Sequence, residues 1–421
     1  RTIAPEFGTI ETINLMEPKV YHLDNGIPVF CIDAGAQKVL KVELVFNAGT
    51  ATAGKKLVAS AAIKLLTEGT SKRTGSEIAD AVDFYGAYLQ VDVSHDECSL
   101  DLYTLSKYLK DTLPVMAEVY SDATFPAHEV ETYLLKGKQE MLVSQEKVGY
   151  LSSKAFNAAL FGELNPYGRS ADTEDYDNIT RDDLLGFYQD SILGRIKHII
   201  VSGRSGDDTI TQLNTQFGST ERKPLPETEV ETATLENRLL HVQKEKAVQN
   251  SIKIGRILFN RSHPDFVGMQ ILSTVLGGYF GSRLMDNIRE DKGYTYGIRA
   301  GLVSMKHSGY FTISTEVGSD VCKDAISEIF KEIERLRKEP ISIGELELVR
   351  NYMLGSILKS VDGPFSIAST WKRFLKYGLG ADSHHKLIHE IKNITPERLM
   401  ILANKYLQRE DLVLVTAGSS F

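Results

Sequence analysis

Apolar residues follow two rhythms along the chain. From Leu40 to Gly49 and from Ser251 to Phe259 they alternate or cluster as in strands, and short apolar runs ending in glycine, His198 to Gly203 and Val413 to Gly418, predict two more. Residues 57–66 are apolar almost all round, as in a buried helix. Helical spacing marks Glu129 to Val143 and Gly344 to Lys359. Thr180 and Thr395 each precede a helical stretch with an acidic residue in its first turn, where a side-chain oxygen can cap free backbone N–H groups and the acid meets the positive end of the helix dipole.

These elements repeat. Asn178 to Leu184 returns as Asn393 to Leu399, and the strand ending at Gly203 returns as the strand ending at Gly418, both 215 positions later. One period of half the chain is a duplication, not a solenoid. The repeats are expected at 1–217 and 237–421, joined by a linker at 218–236 rich in Thr, Glu and Pro. Strands followed by groups of helices predict an α+β chain of two homologous two-layer domains, each a mixed, largely antiparallel sheet covered by helices.

Composition narrows the function. With 48 Lys+Arg against 56 Asp+Glu the net charge is −8, which argues against nucleic acid as a partner. No run reaches the roughly 18 to 20 apolar residues of a membrane helix, so no membrane partner is expected. Cys31, Cys98 and Cys322 are odd in number and far apart, the pattern of buried small hydrophobes in a reducing compartment. With no visible signal peptide the cytoplasm is favoured, while the start at Arg1 leaves the periplasm open.

Four stretches carry candidate chemistry. Gly49 to Lys56 resembles a phosphate-binding loop but has Lys56 where the hydroxyl for magnesium belongs, so it reads as an ordinary loop. His385 and His389 share a helix face, yet the acid expected between zinc-binding histidines is missing and Glu390 follows instead. Gly277 to Arg283 lacks the spacing of a dinucleotide site and reads as a place of close packing or a bend. In Leu284 to Gly297, a helix ended by Gly293 leads into an alternating strand, a corner that could bring the guanidinium of Arg289 near the phenol of Tyr296. Such a pair can donate to a peptide carbonyl or an oxyanion, while spacing alone favours a surface arginine and a packed tyrosine.

Several further motifs, in order, make the chain resemble the pitrilysin/insulinase family of zinc peptidases, in its mitochondrial processing peptidase branch. They are Leu23-Asp24-Asn25-Gly26, Phe46-Asn47-Ala48-Gly49-Thr50, Glu68-Gly69-Thr70, Tyr85-Gly86-Ala87, Ala247 to Ser251, and Leu276-Gly277-Gly278 through Tyr296-Gly297. The resemblance implies the LuxS/processing-peptidase-like metallohydrolase fold. Catalytic members carry His-x-x-Glu-His on the first long helix; here those places fall on Ser60 to Lys64, with Ser60, Ile63 and Lys64 at the three functional positions. The distal Glu ligand falls on Met141, and neighbouring Glu140 is turned away by about 100° of helix.

The Arg and Tyr by which the family's non-metal half contacts substrate match Arg289 and Tyr296. The resemblance therefore implies a non-metal subunit, inactive alone, that pairs with a paralogue bearing the intact zinc motif and acts on peptide substrates. No cofactor is expected in this chain, zinc is expected in the partner, and expression alone allows a homodimer. Rival readings are an inactive peptide-binding scaffold and, less favoured, an autonomous zinc peptidase using His384, His385 or His389.

Overall fold

The structure is a computed structural model and describes residues 10, 12–225 and 238–420. Residues 226–236 of the expected linker lie outside that range. The described part, 218–225, runs along the first half: the Lys223 N–H donates to the Gly194 carbonyl at 2.8 Å, and Arg195 donates to the Pro224 carbonyl at 2.8 Å.

The first sheet is built from β1 (Lys19–His22), β2 (Pro28–Asp33), β3 (Val39–Phe46), β4 (Tyr88–Val93), β5 (Cys98–Leu105) and β6 (Ile196–Gly203), in the order β1-β2-β6-β3-β5-β4. The second comprises β7 (Leu239–Gln243), β8 (Gln249–Leu258), β9 (Ile298–Ser304), β10 (Gly309–Gly318) and β11 (Val413–Gly418), in the order β7-β11-β8-β10-β9. Without β1, the two orders correspond strand for strand. In each sheet one pair is parallel, β2 with β6 and β7 with β11, and the remaining pairs are antiparallel. The duplication read from the sequence is thus a duplication of topology.

Alternation along the strands separates two faces. Leu40, Val42, Leu44 and Phe46 of β3 point into the first core with Ala59, Ala62 and Ile63 from helix Val58–Lys64. Ile252, Ile254, Phe311 and Ile313 point into the second core beneath helix Cys322–Lys338. Thr180 and Thr395 cap their helices as expected, accepting from the Asp183 and Arg398 N–H groups.

The opposite faces are covered by exchange, which a simple two-layer repeat does not include. Helix Val148–Phe161 from the first half lays Phe156, Leu160 and Phe161 against Val413 and Val415 of the second sheet. Gly255 makes the room, since a Cβ there would meet the Phe156 ring at 2.9 Å. Helix Pro364–Lys376 from the second half returns the arrangement, packing Ile367, Ala368 and Trp371 on Ile32, Val45 and Ile200 of the first. Its Trp371 indole donates to the Met16 carbonyl at 2.7 Å, and Ile13 joins the second core, so the start of the described chain also leans on the second half.

Charges seal the same junction. Lys376 reaches Asp96 at 2.7 Å and Lys372 reaches Glu43 at 3.3 Å. Burial opposes ionisation of Asp96, yet hydrogen bonds from Lys376 and Tyr167 hold its carboxyl below the usual range. All three cysteines are buried and free, and among the described residues no helix is long and apolar enough to cross a membrane.

Candidate functional site

The helix expected from the resemblance to occupy the metal position of the first half starts abruptly. Leu57 takes a left-handed backbone, φ 65, and Val58–Lys64 then turns its apolar face into the core. Ser60 is half-buried, Ile63 is sealed in the core at 1% exposure, and Lys64 points to solvent. Met141 lies on helix Ala127–Gln145, where its sulfur accepts a hydrogen bond from the Tyr150 hydroxyl at 2.9 Å. A hydroxyl, an alkyl group, an ammonium and a thioether do not make the imidazole and carboxylate set that zinc hydrolysis needs. These positions do not fit the metal. Among the described residues no three His, Cys, Asp or Glu side chains converge elsewhere.

The other candidates resolve along similar lines. Lys55 and Lys56 are held by Asp183 at 2.7 Å and Asp175 at 3.3 Å, so both ammonium groups of the phosphate-loop-like stretch are engaged. His384 is buried with its Nε2 at 3.2 Å from the Ile13 carbonyl, whereas His385 and His389 are exposed along one cavity wall.

In the second half, Leu284, Met285 and Ile288 anchor the segment Met285–Asp291, which is wound as a π-helix, not the expected α-helix. Its end is set by Lys292, whose N–H donates to the Asn287 carbonyl, and by Gly293 at φ +65. The strand expected directly after Gly293 starts only at Ile298. Before it, Thr295 Oγ1 lies 3.0 Å from both the N–H and the carbonyl of Gly297 and 2.8 Å from the Glu316 carbonyl, bending the chain into a turn. That turn thrusts Tyr296 outward, 94% exposed.

Arg289 and Tyr296 line one cavity of about 560 Å³. The Arg289 guanidinium lies 4.5 Å from the Phe280 ring centre and 3.4 Å from Glu290. Gly277 explains how the wall closes: a Cβ there would stand 2.5 Å from the Ala300 nitrogen, so only glycine lets this segment lie against the outer strand β9. Tyr279 packs against Tyr352 from helix Ile343–Ser360, the ring centres 5.2 Å apart and the planes tilted by 32°. Burial, then the charges of Glu345 and Asp286, push the Tyr279 phenol toward its neutral, donating form.

The cavity also includes Arg299, Phe280 and Tyr352, which the sequence reading had not selected. Arg299 had a signal, alternating outward between buried Ile298 and Ala300; Tyr352, far along the chain, had none.

Comparison with known proteins agrees with this architecture. The family model described as "Insulinase (Peptidase family M16)" matches residues 29–166, and "Peptidase M16 inactive domain" matches residues 178–353. The chain belongs to peptidase family M16. Among its relatives, an "uncharacterized zinc protease YmxG" of Bacillus subtilis is 25% identical over 84% of this chain and 86% of its own length. A "non-peptidase homolog YmxG" of Helicobacter pylori is 22% identical over 90% of this chain and 88% of its own. The crystal structure of a peptidase M16 inactive domain from Pseudomonas fluorescens superposes with a TM-score of 0.87 at 22% identity, covering 96% of this chain and 99% of that one. Within the M16 fold, then, Ser60, Ile63, Lys64 and Met141 of the first half offer no zinc-ligand chemistry, and the second half holds an open cavity with an arginine and a tyrosine on its wall.

Proposed function

We propose that this chain is the non-metal subunit of a two-chain zinc peptidase whose paralogous partner carries the intact metal motif. The observation that carries the reading is the sharing of one cavity by Arg289 and Tyr296 in a chain whose own Ser60, Ile63, Lys64 and Met141 cannot hold zinc. The substrate is a peptide. Arg289 and Tyr296 donate to the scissile carbonyl and stabilise the negative charge that develops on its oxygen as it becomes tetrahedral. A phenol that almost nothing covers in the single chain suits a group completed by substrate and partner.

A second reading has a specific observation in its favour, the relative named a non-peptidase homolog. In that reading the cavity binds peptides without helping to cut them. Peptidase assays of this chain, of a zinc-motif paralogue, and of their mixture separate the two. Cleavage by the mixture alone is the expected result; full cleavage by the paralogue alone would leave this chain as a binding or scaffold protein.

A further inference from the structure

The cavity holding Arg289 and Tyr296 is unusual in an acidic protein. It is lined by two guanidinium groups, Arg289 and Arg299, and by the phenols of Tyr279, Tyr296 and Tyr352, and no carboxylate lines it. Arg289 already has Phe280 beneath it and Glu290 at 3.4 Å. Arg299 is exposed and, among the described residues, forms no ion pair. Its neighbours on the sheet are a hydroxyl and an ammonium. Arg299 and Lys253 flank Ser314 in the same cross-strand row, and the Lys253 ammonium lies 3.5 Å from the Ser314 hydroxyl.

A second recess of about 400 Å³ shares Tyr296 and Arg299 with the first. The one carboxylate lining it is Glu316, which sits against the start of helix Val148–Phe161, where a Cβ on Gly149 would meet it at 2.3 Å. The nearby acids Asp286 and Glu345 stay outside both walls, and Glu345 is taken by Arg283 at 2.7 Å. A planar, charged fork with open donors is suited to pairing with a carboxylate through two parallel hydrogen bonds.

We infer that Arg299 is a specificity residue that takes a carboxylate of the peptide whose carbonyl Arg289 and Tyr296 hold. This rests on the peptide-contact reading of that pair. The carboxylate comes from an acidic side chain or from the peptide's own C-terminus, and the test distinguishes them.

The experiment is calorimetric titration of the full chain, in low salt, with four unstructured ten-residue peptides. Three are C-terminally amidated and carry Glu, Gln or Lys at the centre; the fourth is the Gln peptide with a free C-terminal carboxylate. The Glu peptide is expected to bind about tenfold more tightly than its Gln counterpart, with Lys weakest, the scale of one charge-assisted hydrogen bond. Arg299→Gln should bring the Glu-to-Gln ratio to about one, and Arg299→Lys should keep part of it. If the free-carboxylate peptide gains the advantage instead, and Arg299→Gln removes it, the terminal carboxylate is the ligand. Equal binding of all four peptides, absence of binding, or a preference that survives Arg299→Gln overturns the inference. Assaying the mixed complex with the same peptides keeps the two ideas apart. An acid preference with no cleavage sinks the peptidase role alone, and cleavage without Arg299-dependent preference sinks the specificity role alone.

Discussion

Gly86 and Gly293 both adopt a left-handed backbone, φ +64 and +65, where a helix turns into the outermost strand of its sheet, β4 in one half and β9 in the other. Four residues before these glycines stand Val82 and Arg289, and three after them stand Leu89 and Tyr296. In the first half the corner is closed. Helix Gly75–Asp83 is α-helical with a Thr74–Glu77 capping box, Val82 is 2% exposed, and Leu89 packs on the core. In the second half the helix is π-wound, Gly277 lies flat against the strand, and both side chains border a cavity. One corner built twice from the same backbone turn has thus become packing in one copy and an open set of donors in the other. Topology supplies the position; the side chains decide whether it is filled or left for a ligand.

The largest way to break this comparison is to move the arginine. Val82→Arg places a guanidinium in the first core with no partner and should cost more than about 4 kcal/mol, visible as loss of the denaturant transition of the whole chain, because the exchanged helices tie the halves together. A variant as stable as the wild type would mean that the first corner is not the sealed one.

The next effect is on chemistry. Tyr296→Phe should lower the peptidase rate of the mixed complex about 100- to 1,000-fold, or about 3 to 4 kcal/mol of barrier, while the two chains still co-elute. Undiminished turnover would reduce Tyr296 to a surface residue.

A third test uses acid. His198 of β6 and Val413 of β11 are counterparts 215 positions apart, both buried on the exchanged faces. Burial, assisted by the charges of Lys197 and Lys372, lowers the His198 pKa to about 3. The unfolded chain takes up this proton near pH 6.5 and the folded one does not, so the contribution of neutral His198 is complete above about 6.5 and is lost as pH falls toward 3. Stability should therefore drop by up to about 1.4 kcal/mol per pH unit over that window for this group alone. His95, His307 and His384 are shifted in the same direction, each chiefly by burial, and steepen the fall. His198→Val, which copies the second half, should flatten the acid limb of urea midpoints measured from pH 7.5 to 4.5; an unchanged slope would contradict the assignment.

The smallest effect sharpens the contrast from the inert side. Ser60→Ala and Lys64→Ala should alter stability by no more than about 0.5 kcal/mol and leave cleavage by the mixed complex unchanged. A large loss of activity would give the first half a role that its side chains do not suggest.

Much of this was legible in the chain. The strands Leu40 to Gly49 and Ser251 to Phe259 and the caps at Thr180 and Thr395 were readable because alternation and capping are local. Arg289 and Tyr296 could be singled out only through the family resemblance, because a glycine-ended helix before a strand by itself equally describes a surface arginine and a packed tyrosine. The π-winding of Met285–Asp291 was hidden, since its spacing differs from an α-helix by one hydrogen-bond step over only seven residues. The late start of β9 was hidden in the side chain of Thr295, whose hydrogen bonds to Gly297 and Glu316 override the alternation.

By itself the sequence determined the duplication, the strands and the helix caps, because period, polarity and capping are properties of residues in order. Only the tertiary structure decided that each half lends a helix to the other and that Arg299, Phe280 and Tyr352 join Arg289 and Tyr296 around one cavity. Those outcomes depend on which apolar surface each helix finds to cover after the sheets have formed. That choice is made by shape and burial between segments far apart in the chain, and no local pattern encodes it.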